Sequence, residues 1–190
     1  MNTEIKIQIA RWLLDPDGDL VLVENLGELE NKLKENNLYK IYAELELPLY
    51  EVLAKMSGNG ILVDAKLLKD LKKYLDLELV SLVKNIYKLV GKEFNLNSPK
   101  QLGEVLFDVL KIKSKKKTKG GGRSTGAESL EAMRGEHVVV DFISKYREIF
   151  KLQSTYVVPI LEIVTASKDS RVHTTFLQTH TATGRLSSEN

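Results

Sequence analysis

Residues 64–91 read DAKLLKDLKKYLDLELVSLVKNIYKLVG, and their periodicity decides the fold class. Leu68, Leu71, Leu75, Leu79, Leu82, Ile86 and Leu89 recur at spacings of three and four, the pattern of one apolar face on an α-helix. Asp64 stands where a carboxylate can accept from the first free amides, and Gly91 stops the run, so the stretch spells a rod of roughly 37 Å. A second stretch of this kind runs from about 137 to 164, with Phe142, Tyr146, Ile149, Tyr156, Ile160 and Ile163 on its apolar face. Pro159 lies inside it and predicts a kink or the end of the regular part, because proline removes one ladder hydrogen bond. Two amphipathic helices this long bury their stripes most simply against each other. The expected fold is mainly α: a long antiparallel helix hairpin, short helices at its tip and a small β element at the C-terminus.

Between the long helices, Ser98-Pro99-Lys100-Gln101 carries three start signals. Ser98 is the N-cap, Pro99 takes the first helical position and Gln101 is placed to close a capping box. Leu102, Val105, Leu106 and Val109 should be the buried face that follows. Thr125 and Glu128 spell a second capping box, for a short helix ended by Gly135. Upstream, Leu45, Leu49, Val52, Leu53 and Met56 predict a helix face that stops at Gly58-Asn59-Gly60, with an extended piece at Ile61 and Val63. Residues 1–42 read as an irregular lead-in. In it Ile5, Ile7 and Ile9 alternate like a short strand, Trp12-Leu13-Leu14 must dock on something, and Leu26, Leu29 and Leu33 mark a short helix. Asp15-Pro16-Asp17-Gly18-Asp19 imitates the start of a calcium loop, but Leu20 takes the glycine position and Leu26 that of the closing glutamate. At the other end, 171–179 alternates like a strand. With no partner strand in view its backbone groups would stay unpaired, so residues 171–190 are expected to be poorly ordered.

With 190 residues, 43% of them hydrophobic, the chain can form one compact domain with a real core, or one domain with appendages. It has no cysteine, which excludes disulfides and zinc–thiolate sites and fits a reducing, intracellular setting. No apolar run approaches membrane-spanning length and the N-terminus lacks signal-peptide features, so no membrane partner is expected. Net charge is only +2, yet seven of the 28 basic residues (Lys111, Lys113, Lys115, Lys116, Lys117, Lys119 and Arg123) share one stretch without an acid. That suggests a local polyanion contact, although on charge alone a solvated, flexible loop is the simpler reading. Gly120-Gly121-Gly122-Arg123-Ser124 is no P-loop, since the lysine–hydroxyl ending and the preceding strand are missing. His137, His173 and His180 have neither cysteine partners nor a His-x-x-x-His spacing, and hydrogen bonding is expected of them rather than metal binding.

Thr181-Ala182-Thr183-Gly184-Arg185-Leu186-Ser187-Ser188 resembles the TATGRLSS motif of family A DNA polymerases, the bacterial DNA polymerase I class. The segments before it agree with that family in order and spacing. They are Val172-His173-Thr174-Thr175-Phe176 with Gln178-Thr179, Tyr146-Arg147-Glu148, and Lys151-Leu152-Gln153-Ser154-Thr155-Tyr156, in which Gln153 stands where lysine is common. Further upstream are FNLNSPKQL at 94–102, Val105-Leu106-Phe107-Asp108, and Lys116-Lys117-Thr118-Lys119 with Arg123-Ser124-Thr125. The resemblance extends from about Glu44 to Ser188. Residues 10–16 are weakly similar to the end of the exonuclease-like domain that precedes the thumb.

The resemblance implies a DNA-directed DNA polymerase of replication or repair, divided here into a lead-in (1–43), a helical thumb (44–165) and the start of a palm (166–190). It implies DNA contacts by Asn97, Ser98, Lys116, Lys117, Lys119, Arg123, Ser124, Thr125, Arg147, Lys151, Thr183 and Arg185, with primer–template duplex as the partner. Lysines on a loop suit a thumb, because phosphate contacts hold a duplex of any sequence. For Ser98 the capping and phosphate roles are compatible. Arg147 and Lys151 share a helix face, which is either a duplex contact or a solvated polar face. Arg185 is implied to reach the minor groove near the primer end, with a salt bridge to Glu189 as the alternative. The family continues into palm aspartates and a fingers helix, whereas this sequence closes at Glu189-Asn190. No catalytic or metal-ligating residue is assigned, and the chain alone is expected to be inactive and to bind no cofactor. Mg2+ is expected for the complete enzyme, as are a cytoplasmic location, nucleoid-associated if the organism is bacterial or archaeal, and, if the gene is split, a second chain carrying palm and fingers. A non-catalytic DNA-binding module and a helical scaffold are the alternative readings.

Overall fold

A computed structural model describes residues 1–18, 25–114, 116–118 and 120–189. Asp19 and Leu20 of the calcium-like turn, and Lys115 and Lys119 of the basic stretch, lie outside the described residues. The fold is mainly α, as expected, and forms two compact units: Met1–Val63 together with Ser167–Asn190, and Asp64–Ala166.

The first unit departs most from the sequence reading. Helix α2 (Leu26–Glu35) is the short helix expected from Leu26, Leu29 and Leu33, but α1 (Thr3–Leu14) is a full helix where irregular chain was expected; the Asn2 and Asn25 side chains cap the two by accepting from the Glu4 and Gly27 amides. The Ile5-Ile7-Ile9 alternation is therefore helix, not strand. Three residues fit either period, and burial decides: Ile9 and Ala10 pack with Leu29, Leu33 and Tyr42 in one core cluster. Burial also pushes the Tyr42 hydroxyl up to about 12. Helix α3 covers 39–59 and widens to π geometry at Tyr42–Glu46. Of its expected apolar face Leu53 is buried, whereas Leu45, Val52 and Met56 are exposed. Trp12 docks through its indole N–H, which donates to the Thr181 carbonyl at 2.9 Å.

The C-terminal segment finds partners within this unit, which corrects the expectation that it would be poorly ordered. Strand β1 (Ile61–Leu62) pairs antiparallel with β2 (Arg171–Val172), in the register Ile61 to Val172 and Leu62 to Arg171. Strand β3 (Thr175–Leu177) pairs antiparallel with β4 (Ser187–Glu189), placing Phe176 opposite Ser188. The expected single strand is thus two short ones with different partners.

In the second unit α4 (Ala65–Val90) begins where Asp64 accepts from Lys66 and Leu67 amides, and ends at Gly91 with φ +79°. Helix α5 covers 99–109 and turns π over Glu104–Val109. That change of pitch buries Phe107 and leaves the expected Val109 exposed. Gln101 does not close a capping box on Ser98, since its side-chain oxygen accepts from the Asn95 amide at 2.7 Å instead. Helix α6 (Ala127–Ala132) has Gly126 as its cap, so the Thr125–Glu128 box does not form. Helix α7 (Val138–Ala166) is capped by His137 and continues through Pro159, with a π segment at Gln153–Val157 directly before the proline.

Helices α4 and α7 run antiparallel, with Glu78 facing Lys145 at 3.2 Å and Asp76 facing Gln153 at 2.6 Å. Leu82, Ile86, Leu102, Leu106, Leu130, Met133, Val139 and Ile143 make the core between them and the short helices. The apolar stripes are only partly used, since Leu71, Leu89, Tyr156 and Ile163 stay exposed. By length and composition α7 could cross a bilayer, which the sequence reading did not expect. Val139, Val140, Ile143 and Tyr146 of this helix are buried in the unit's core, while 17% of its most apolar window is buried.

Candidate nucleic-acid interface

The basic stretch is a small hairpin rather than a free loop. Lys117 and Arg123 form an antiparallel bridge, the Ser124 amide donates to the Lys116 carbonyl at 2.9 Å, and the Thr118 amide donates to the Gly122 carbonyl at 2.7 Å. Gly121, at φ +81°, makes the turn that a side chain would strain. Its charges are distributed unequally. The Arg123 guanidinium donates to both carboxylate oxygens of Asp108, at 2.6 and 2.7 Å, and lies 4.9 Å from the centre of the Phe107 ring. Its two hydrogen bonds hold Asp108 below the usual carboxylate range. Lys116 donates to Glu128 at 2.5 Å and lowers that carboxyl in the same way. Lys117 is exposed and makes no ion pair among the described residues.

The other implied contacts fall into three places. At the hairpin base, Ser124 is half-buried, with its hydroxyl accepting from the Gly126 amide at 3.3 Å, and Thr125 is buried. Arg147 joins them by donating to the Thr125 carbonyl, and burial pushes its guanidinium below the usual value. Arg147 and the exposed Lys151 line a cleft of about 290 Å³ that also holds Glu131 and Glu148, so its charge is mixed. At the start of α5, the Ser98 hydroxyl accepts from the Gln101 amide at 3.4 Å, and the Asn97 amide group donates to the Tyr146 hydroxyl at 3.2 Å.

Thr183 and Arg185 belong to the other compact unit. There the Thr181 hydroxyl donates to the Arg185 carbonyl at 2.5 Å and Gly184 turns the chain at φ +73°. Both side chains are exposed, and Arg185 makes no ion pair with Glu189, whose backbone is paired in β4. Sequence reasoning missed Asp108 and Glu128 as partners of the basic residues. Glu128 was visible only as a helix-start signal, and Asp108 carried no local signal for an arginine 15 residues away.

Among the described residues no group of three or more histidine, cysteine, aspartate or glutamate side chains could hold a metal ion. The residues here do not fit the Mg2+ that the resemblance implies for a complete enzyme.

One unit carries the helix hairpin with its basic β-turn, and the other carries the Gly184–Arg185 turn. The profile of DNA polymerase family A matches residues 65–190, and the chain belongs to that family. It is 43% identical over 184 residues to the thermostable DNA polymerase I of Thermus thermophilus, covering 95% of this chain and 22% of that protein. It is 45% identical over 160 residues to DNA polymerase I of Geobacillus stearothermophilus, covering 84% of this chain and 18% of the relative. Among solved structures it resembles the POL domain of Pol1 from M. smegmatis in complex with DNA primer-template and dNTP. The TM-score is 0.81 at 30% identity, over 96% of this chain and 36% of that one. The chain therefore spans about a fifth of the length of the curated relatives it matches.

Proposed function

We propose that this chain supplies the duplex-gripping thumb and the first strands of the palm of a DNA-directed DNA polymerase. In this reading residues 44–165 are the thumb, 166–190 open the palm, and 1–43 end a preceding exonuclease-like domain. The observation that carries it is the likeness, across almost the whole chain, to a polymerase domain solved with primer–template DNA. The exposed Lys117, Lys151 and Arg185 support it as cations accessible to phosphate or groove edges, and Asn97, Ser98, Ser124, Thr125 and Thr183 lie on the same segments. Lys116 joins them if a phosphate displaces Glu128. Lys119 belongs to the same basic stretch. Arg147 acts from the hairpin base. Contacts of this kind position a duplex without reading its sequence.

In this reading nucleotidyl transfer falls to residues outside these 190, on the same polypeptide or a second one, and the work is done in the cytoplasm, at the nucleoid if the organism is bacterial or archaeal. The test has two arms. Primer–template duplex should bind weakly and without sequence preference, with log K falling against log salt by roughly 0.9 per phosphate neutralised. Replacing Lys116, Lys117, Lys119 and Arg123 by alanine should flatten that line, and an unchanged slope would reduce the hairpin to a solvated surface feature. In the second arm, purified chain with Mg2+ and four nucleotides should not extend a primer. Template-dependent extension would overturn the assignment of chemistry elsewhere.

A further inference from the structure

Of the described basic side chains in the 116–124 hairpin, two are committed to acids of their own unit and one is not. Arg123 is the more firmly held. Its fork meets both oxygens of Asp108, and the same guanidinium lies over Phe107, which is itself buried in the core. Two consecutive residues of α5 thus hold one side chain of the hairpin. The other strand is held at Lys116, by its ion pair with Glu128 and by the Ser114 hydroxyl, which donates to the Lys116 carbonyl at 3.0 Å, but the turn beyond it has no such anchor among the described residues. Gly120, Gly121 and Gly122 offer no side chains to pack, and an isolated two-stranded hairpin is marginal in water. The backbone of Arg123 is bridged to Lys117, so whatever fixes Arg123 fixes the backbone that carries Lys117.

We infer that Arg123 is a positioning residue: clamped by Asp108 and Phe107, it holds the basic hairpin in the shape that presents Lys117 to the duplex. This rests on the duplex-binding reading above. It reverses the expectation that Arg123 is itself a DNA ligand, because the fork a phosphate would need is occupied. It also makes a prediction whose sign simple electrostatics opposes. Asp108 is a negative charge beside a polyanion site, so its removal should strengthen binding if charge were all that mattered. If Asp108 is the anchor of the clamp, its removal weakens binding.

The test uses the whole chain as wild type, Asp108→Asn and Asp108→Glu. Each is read by amide hydrogen exchange of Thr118 and Ser124 in the free protein, and by titration with a fluorescent primer–template duplex at low salt. Asp108→Asn should lose protection at both amides and bind the duplex about threefold more weakly, with the thermal unfolding midpoint unchanged, since the pair is at the surface. Asp108→Glu, which keeps a carboxylate for the fork, should restore both protection and affinity. Equal or tighter binding by Asp108→Asn, or unchanged exchange at the two amides, would overturn the proposal. Absence of binding by the wild type would instead sink the duplex reading and Lys117's role with it. That failure is distinguishable, because exchange in the free chain still reports whether Asp108 anchors the hairpin.

Discussion

Gln178 donates its side-chain amide twice to Glu46, to the main-chain carbonyl at 2.8 Å and to the carboxylate. Both residues are buried. The contact ties α3 to the stretch just after β3, across 132 positions of sequence. It occurs where α3 is widened to π geometry, which leaves carbonyls without their usual helical partners.

Gln178→Ala should therefore cost about 1–3 kcal/mol, because it strands a buried acceptor pair without a donor. Urea unfolding of the two proteins measures the difference. A loss well under about 0.5 kcal/mol would mean that water takes over the amide's role.

His173 makes stability depend on pH. Its Nδ1 lies 3.0 Å from the Ser57 carbonyl and its Nε2 lies 3.0 Å from a carboxylate oxygen of Asp169. Both partners are acceptors, so only the protonated ring satisfies both. The Ser57 carbonyl first, then Asp169, raise His173 above its ordinary 6.5. The Ser167 hydroxyl first, then His173, lower Asp169 from 3.8 to about 2. The His173 contribution is complete below its unfolded value and is lost as pH rises through the raised folded value. The Asp169 contribution is complete above its unfolded value and is lost as pH falls toward 2. The thermal midpoint of wild type minus His173→Asn should be largest between about pH 4 and 6.5 and should shrink as pH rises through the raised His173 value. A difference that does not vary with pH would show that packing, not the proton, matters.

Gly60→Ala should be among the costlier single changes. A Cβ there would stand 2.7 Å from the His173 ring and 2.9 Å from the Val172 carbonyl, at a backbone φ of +61°. The imidazole could move, but the β2 backbone could do so only by loosening the β1–β2 pair. Destabilisation of about 2 kcal/mol is expected, by chemical denaturation. Gly91→Ala, with φ +79° but open space around it, should cost less.

Arg185→Ala should weaken primer–template binding about fivefold or more while leaving the thermal midpoint unchanged, since the side chain is exposed and unpaired with Glu189. In a reconstituted polymerase it should lower extension similarly for all four correct terminal pairs and reduce the penalty for a mismatched primer end. Loss confined to one pair would indicate direct base readout instead.

The sequence by itself determined the two long helices, the capping of the first at Asp64 and Gly91, the Ser98 cap of the short helix between them, and the family, through the ordered motifs ending in Thr181–Ser188. Those signals are local, because a cap acts within one turn and a helical stripe repeats every three or four residues. Only the tertiary structure decided that Ile5, Ile7 and Ile9 lie on a helix, since a short alternation fits two periods until burial selects one. It alone supplied strand partners for residues 171–189, one of which is more than a hundred positions upstream. It also decided which cations of the candidate interface are already paired. Arg123 and Lys117 look alike in sequence, but one meets Asp108 and Phe107 across a turn of the fold and the other meets no acid among the described residues. Charge is a property of each residue, whereas pairing depends on distances that the chain fixes only once it has folded.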